Sequence, residues 1–237
     1  MVSALKFENV TKRYGKSAVL DDVSFEVPRG TIVGLAGING AGKTTLIKCM
    51  LGLCGMDSGG IEIFGISHSD AMARSALAYL PEKFNPPAHL KGSDFLRLAK
   101  RLYAAHPDER EIAVMLSEFG LDHALDLPVG RYSKGMAQKL GLAACFLSGK
   151  DLFVLDEPMS GLDPRARAHV KEKLLGLRDG GGTLLFTSHA LSTMGEICDR
   201  VAVLHEGRMA FLSGRDDVER AFLECTRVAN SGSGANV

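Results

Sequence analysis

The sequence has no surplus of charge of either sign, no long apolar run and no paired cysteine spacing, and each lack removes a class of function. Lysine and arginine number 28 and aspartate and glutamate 28, so the strongly basic surface that nucleic-acid binding draws on is missing, and no nucleic-acid partner is expected. The longest nearly apolar stretch, Leu140 to Leu147, falls far short of the roughly 18 to 20 residues that span a bilayer. Any membrane partner is therefore expected on another chain. The five cysteines, Cys49, Cys54, Cys145, Cys198 and Cys225, are odd in number, scattered and without CxxC spacing. Such usage fits reduced thiols serving as small core residues in the cytoplasm. The first residues carry no basic region followed by an apolar core, so no signal peptide is expected. No linker divides the chain either: 237 residues of 46% hydrophobic composition suffice for one domain, or one domain with an inserted lobe.

What the sequence does have is a phosphate-cradle pattern, Gly37-Ile-Asn-Gly-Ala-Gly-Lys-Thr44. The apolar run Thr31 to Ala36 before it suits a buried parallel strand, and Thr45 to Leu51 after it continues as a helix. Glycines at 37, 40 and 42 are expected to take positive φ and bring backbone N–H groups close to phosphate oxygens, at a helix N-terminus that adds its positive dipole end. Lys43 is a mobile cation for the β- and γ-phosphates. Thr44 offers a hydroxyl to Mg²⁺, which takes few protein ligands.

Along the chain, Leu5–Val10 and Val23–Val27 alternate apolar and polar residues as half-exposed antiparallel strands do, with Tyr14 on a turn between them. Ile61–Phe64 and Ala76–Leu80 read as further strands. From about residue 87 to 148 the pattern turns helical, with Ser93 as a cap candidate for a helix to Tyr103 and a second helix, Pro107–Phe119, stopping at Gly120. Strand patterns return at Asp151–Asp156, Thr183–Thr187 and Arg200–Leu204, with a helical run Pro164–Arg178 between the first two. That alternation predicts a parallel sheet flanked by helices. Met209–Ser213 is expected to close the sheet, Asp216–Cys225 to form a last helix, and residues 229–237 to be a disordered tail.

Two further stretches carry chemistry. Four apolar residues lead into Asp156-Glu157. An acid at a strand end holds Mg²⁺, usually through water, while its neighbour faces the attacking water. In Arg131-Tyr-Ser-Lys-Gly-Met-Ala-Gln138, Ser133 stands where a helix should begin and Gly135 permits close backbone approach.

Together these residues resemble the ATP-binding cassette (ABC) ATPases over positions 1 to about 215. GINGAGKT matches the Walker A motif and Leu152-Phe-Val-Leu-Asp-Glu157 the Walker B motif. Tyr132-Ser-Lys-Gly-Met136 takes the place of the LSGGQ signature, Ser160-Gly-Leu-Asp163 that of the D-loop, and Ser188-His189 that of the switch histidine. Tyr14 takes the place of the aromatic that stacks on adenine. The resemblance implies an α/β P-loop NTPase fold: a RecA-like parallel sheet core, an N-terminal antiparallel β subdomain and an inserted α-helical subdomain. A single domain 1–228 is expected, with its core at about 1–86 and 149–215 and the insertion at about 87–148. It also implies roles. Gly37, Asn39, Gly40, Ala41, Gly42, Lys43, Thr44, Thr45, Ser133, Gly135 and Asp163 hold ATP together with Tyr14. Thr44 and Asp156 hold Mg²⁺, Glu157 is the general base, and His189 contacts the γ-phosphate.

The sequence departs from that family pattern at two places. Leu80-Pro-Glu82 stands where a glutamine is common, so that Glu82 approaches Mg²⁺ or its water as a carboxylate and cannot donate as an amide does. Lys134 and Met136 replace a glycine and a glutamine of the signature. Both variants resemble a bacterial branch that pairs with separate membrane subunits for export, resistance or polysaccharide and lipid traffic. The expected protein is thus an ATP-hydrolysing subunit on the inner face of the cell membrane, partnered by transmembrane permease subunits and by a second copy of itself or a homologue. A GTPase is disfavoured because no N-K-x-D occurs. A soluble cassette ATPase acting on DNA or ribosomes would bring long heptads or a second cassette. A regulatory subunit without turnover would most plausibly have lost Glu157.

Overall fold

The computed structural model describes residues 3–214, and the helix expected at Asp216–Cys225 and the tail at 229–237 lie outside them. Two sheets organise the chain. β1 (Ser3–Tyr14), β2 (Ser17–Pro28), β4 (Ser58–Ile63) and β5 (Ile66–Ser67) form an antiparallel sheet in the order β2-β1-β4-β5. The second sheet has the order β10-β9-β3-β8-β7-β6, built from β3 (Ile32–Ala36), β6 (Leu77–Leu80), β7 (Leu152–Asp156), β8 (Thr183–Ser188), β9 (Arg200–His205) and β10 (Arg208–Gly214). Its strands are parallel except β10, which pairs antiparallel with β9.

Strand periodicity divides the core between the sheet's two faces. Phe153 and Leu155 of β7, Leu184 and Phe186 of β8, and Val201 and Val203 of β9 point to one side, into a cluster with the helices. Their neighbours Leu152, Val154, Leu185, Ala202 and Leu204 point to the other, against the antiparallel sheet and α1 (Lys43–Met50). Burial on both faces is why these strands read as continuous apolar runs rather than alternating ones.

Between β6 and β7 lies the helical insertion: α3 (Gly92–Tyr103), α4 (Glu109–Phe119) and α5 (Lys134–Phe146). α4 starts on a capping box, Asp108 with Glu111, and ends where Gly120 takes φ 63°. α3 differs from expectation. Its cap lies two residues early, at Lys91, with no side-chain hydrogen bond, so Ser93 is inside the helix. α6 (Pro164–Asp179) and α7 (Leu191–Ile197) cover the sheet after β7 and β8, and short α2 (Ala71–Ser75) precedes β6. β1 and β2 run longer than their alternating stretches, because irregularities at Asn9 (φ 50°) and Asp22 (φ 60°) absorb the breaks in pattern. Tyr14 consequently ends β1 rather than sitting in the turn.

Candidate active site

Parallel pairing of β6, β7, β8 and β3 brings their carboxyl ends to one edge, the place where open α/β sheets receive ligands. The turn after β3 leads into α1. Gly40 (φ 85°) and Gly42 (φ 107°) hold the left-handed backbone that this turn requires. Gly37 does not, contrary to expectation; it is needed for closeness, since a Cβ there would lie 2.5 Å from the Leu204 carbonyl oxygen. The turn is also braced from behind, where Gly207 N–H donates to Ala41 O at 3.1 Å.

Lys43 folds its ammonium over the cradle and donates to the carbonyls of Gly37 (2.5 Å) and Ile38 (3.2 Å). Burial lowers its pKa, opposed by the charges of Glu157, Asp156 and Glu82. Thr44 Oγ1 donates to Asp156 Oδ2 at 3.2 Å, and Asp156 is itself only 1% exposed.

Thr187 is the residue that sequence reasoning missed. It lies opposite Asp156 across the β7–β8 pairing. Its hydroxyl donates to Asp156 Oδ1 at 2.5 Å and accepts from Glu157 N–H at 2.9 Å. The only trace in the sequence is a hydroxyl residue at the end of the apolar run Leu184–Phe186, and its partner is set by register. Glu157 itself is held at φ 50°, a costly place for a non-glycine residue. Gln138, buried on α5, donates to the carbonyls of Glu157 (3.4 Å) and Pro158 (3.1 Å). His189 Nδ1 is 3.0 Å from both Glu157 carboxylate oxygens. A carboxylate only accepts, so Nδ1 carries the proton.

Lys43, Thr44, Asp156, Glu157 and His189 line a cleft of about 520 Å³ with Asn39, Gly40, Ala41, Gly42, Thr45, Glu82, Lys83, Ser160 and Val19. Asp156 Oδ2 and Thr44 Oγ1 are hard oxygen donors, which suits Mg²⁺. Glu82 lines the same cleft as Thr44 and Asp156. A larger depression of about 1020 Å³ lies between α4 and α6. It has no glycine turn leading into a helix, and its Glu118 pairs with Lys173 at 2.7 Å.

The remaining expected residues stand apart from the cleft. Tyr14 is 55% exposed beneath the Lys12 ammonium, which lies 5.1 Å from its ring centre. Ser133 caps α5 by accepting from Met136 N–H at 3.1 Å. Gly135 approaches the segment after β7 so closely that a Cβ would sit 2.9 Å from Gly161 O. Asp163 caps α6 through Ala166 N–H, the main cause of its lowered pKa, and pairs with Lys139 at 3.4 Å. Tyr132 is structural: its hydroxyl donates to Ala124 O at 2.7 Å.

A family model described as ABC transporter matches residues 20–160. The chain is 35% identical over 209 residues to a Nod factor export ATP-binding protein I of Sinorhizobium fredii, covering 86% of this chain and 61% of that protein's length. It is 30% identical over 218 residues to a linearmycin resistance ATP-binding protein of Bacillus subtilis, covering 90% of this chain and 70% of the relative. A solved structure described as an ATP-binding subunit of an ABC transporter superposes with a TM-score of 0.87 at 33% identity, covering 94% of this chain and all of that one.

Proposed function

The chain belongs to the ABC transporter family as one of its ATP-binding domains, and from that premise we propose that it is the ATP-hydrolysing subunit of an exporter whose membrane-spanning part is a separate polypeptide. The observation that carries the reading is the convergence, in one cleft, of a glycine turn at a helix start with Lys43, Asp156, Glu157 and His189. Backbone N–H groups at the start of α1 hold the β- and γ-phosphates, and Lys43 exchanges its two carbonyl partners for phosphate oxygens. Thr44 and Asp156 hold Mg²⁺, which when bound supplies charge stabilisation on those oxygens. Glu157 accepts the proton of the attacking water, with its carboxylate oriented by His189 Nδ1–H and its backbone pinned by Thr187 and Gln138. Tyr14 stacks on adenine.

Export is favoured by the relatives, one named for Nod factor export and another for linearmycin resistance. Among the described residues no helix is long and apolar enough to cross a membrane, which suits a subunit docked on the inner face. An apolar groove between α3 and the segment after β6 receives the partner; it is lined by Phe84, Phe95, Leu98 and Leu102, the last 77% exposed. The experiment is direct: the purified chain hydrolyses Mg-ATP slowly by itself, and Lys43→Ala removes turnover. Undiminished turnover in that variant overturns the assignment of the cradle.

A further inference from the structure

Cys49 and Cys54 are not used by the mechanism above, yet their sulfurs lie 3.4 Å apart, the only sulfur–sulfur contact of this kind among the described residues. Cys49 is fully buried on α1; Cys54 is partly exposed on the turn that follows, its sulfur 4.0 Å from Thr45 O. Cys54 is thus the residue of the pair nearer solvent, and Cys49 lies behind it. The turn is held against the helix end by Gly52 N–H to Cys49 O (3.0 Å) and by Leu53 and Cys54 N–H to Lys48 O (2.9 and 3.3 Å), which keeps the two sulfurs side by side. Closing to a disulfide length of about 2.05 Å asks for an approach of about 1.4 Å from the present 3.4 Å. Burial and the neighbouring Cys54 thiol raise the Cys49 thiol, opposed by the Lys12 ammonium.

We propose that Cys49 and Cys54 form a dithiol modification site that a low-molecular-weight disulfide oxidises to an intramolecular disulfide, tying the helix of the phosphate cradle to its following turn. The Cys54 thiolate attacks one sulfur of the external disulfide, giving a mixed disulfide and one thiolate, which takes up a proton. Cys49 loses its proton to solvent and attacks the Cys54 sulfur, forming the Cys49–Cys54 bond and expelling the second external thiol. Two protein thiols are oxidised by two electrons, and one external disulfide is reduced to two thiols. In the dithiol form burial and the adjoining Cys54 thiol raise the Cys49 thiol, so the partly exposed Cys54 is the sulfur that meets the external disulfide first.

The test uses the full chain with oxidised glutathione, alkylation of the remaining thiols and peptide mass mapping. The expected sequence is a transient glutathione adduct on Cys54, then a Cys49–Cys54 linkage lighter than the dithiol by two hydrogens, with Cys145 and Cys198 alkylated only after denaturation. Cys49→Ser stops at the adduct, and Cys54→Ser gives neither product. Dithiothreitol reverses the linkage. An unreactive Cys54 in wild type overturns the proposal, as does a lasting Cys54 adduct with no linkage or a linkage to another cysteine. No nucleotide enters the experiment, so its outcome is independent of whether the chain hydrolyses ATP.

Discussion

Thr187 has no apolar substitute that keeps its place, because one hydroxyl serves two buried polar groups, Asp156 Oδ1 and Glu157 N–H. Thr187→Val preserves shape and strands both groups, each at a cost of about 1–3 kcal/mol. The expected result is a fall in kcat/KM for Mg-ATP of about tenfold or more, with Thr187→Ser restoring most of it, since a lost methyl leaves both bonds in place. Equal losses in the two variants would show that only packing matters. Ionisation at the residue scale also sets an alkaline limit on stability. Burial raises the thiols of Cys145 and Cys198 from 9.0 to about 12. Below 9.0 both states keep the proton and full stability remains; above it the unfolded chain ionises while the folded chain does not, so stability falls as pH rises towards about 12. Each thiol contributes about 1.4 kcal/mol per pH unit within that window. Denaturant midpoints measured from pH 8 upward should therefore decline, and Cys145→Ala with Cys198→Ala should flatten the decline.

Among the elements, α5 links the helical insertion to the catalytic edge. Ser133 caps it, Gln138 reaches the Glu157 and Pro158 carbonyls, and Lys139 pairs with Asp163 at the start of α6. These bonds join the insertion directly to the backbone of Glu157, and on the proposed reading a displacement of the insertion is expected to reach that backbone. α3 is the surface that the proposed partner is expected to touch. Its Leu96 and Ala99 face the core while Leu98 and Leu102 remain exposed. Single cysteines placed between Lys83 and Leu102, in a background lacking Cys54, are expected to crosslink to the co-purified membrane subunit. Crosslinks confined to positions after Asp216 would contradict that docking surface.

For the whole molecule, the separation of Ser133 and Gly135 from the cleft is the decisive feature. One chain covers a γ-phosphate from the cradle side only, and its own signature residues do not line that cleft. In the proposed mechanism a second copy placed head to tail is expected to bring its Ser133 and Gly135 to the other side of the nucleotide, adding donors that exclude water and stabilise developing charge. On the proposed reading ATP is expected to favour the dimer and ADP to release it, a differential affinity able to do work on a membrane partner. Glu157→Gln removes proton acceptance, worth roughly 10² to 10⁴ in rate, while keeping the size of the side chain. This variant is expected to accumulate as an ATP-bound dimer in light scattering, and Ser133→Arg added to it to restore the monomer. A Glu157→Gln chain that stays monomeric with saturating Mg-ATP and a membrane partner present would sink the shared site.

The sequence by itself determined the local features, because each is written in neighbouring residues. The apolar run, glycine turn and helix around Lys43 follow from short-range sterics and periodicity, as does the capped α4 with its stop at Gly120. The alternation of strands and helices likewise announced the parallel sheet. Only the tertiary structure decided what depends on which strand lies beside which. Asp156 and Thr187 are 31 positions apart and meet through the β7–β8 register. Gln138 reaches Glu157 because α5 packs on the sheet, and Gly37 is required by the Leu204 carbonyl, not by its own backbone angle. Cap geometry was equally opaque: Ser93 had the right chemistry, but Gly92 N–H and Ser93 N–H already donate to the carbonyls of Leu127 and Leu125. The first turn of α3 thus found acceptors in a distant loop that no local pattern reveals.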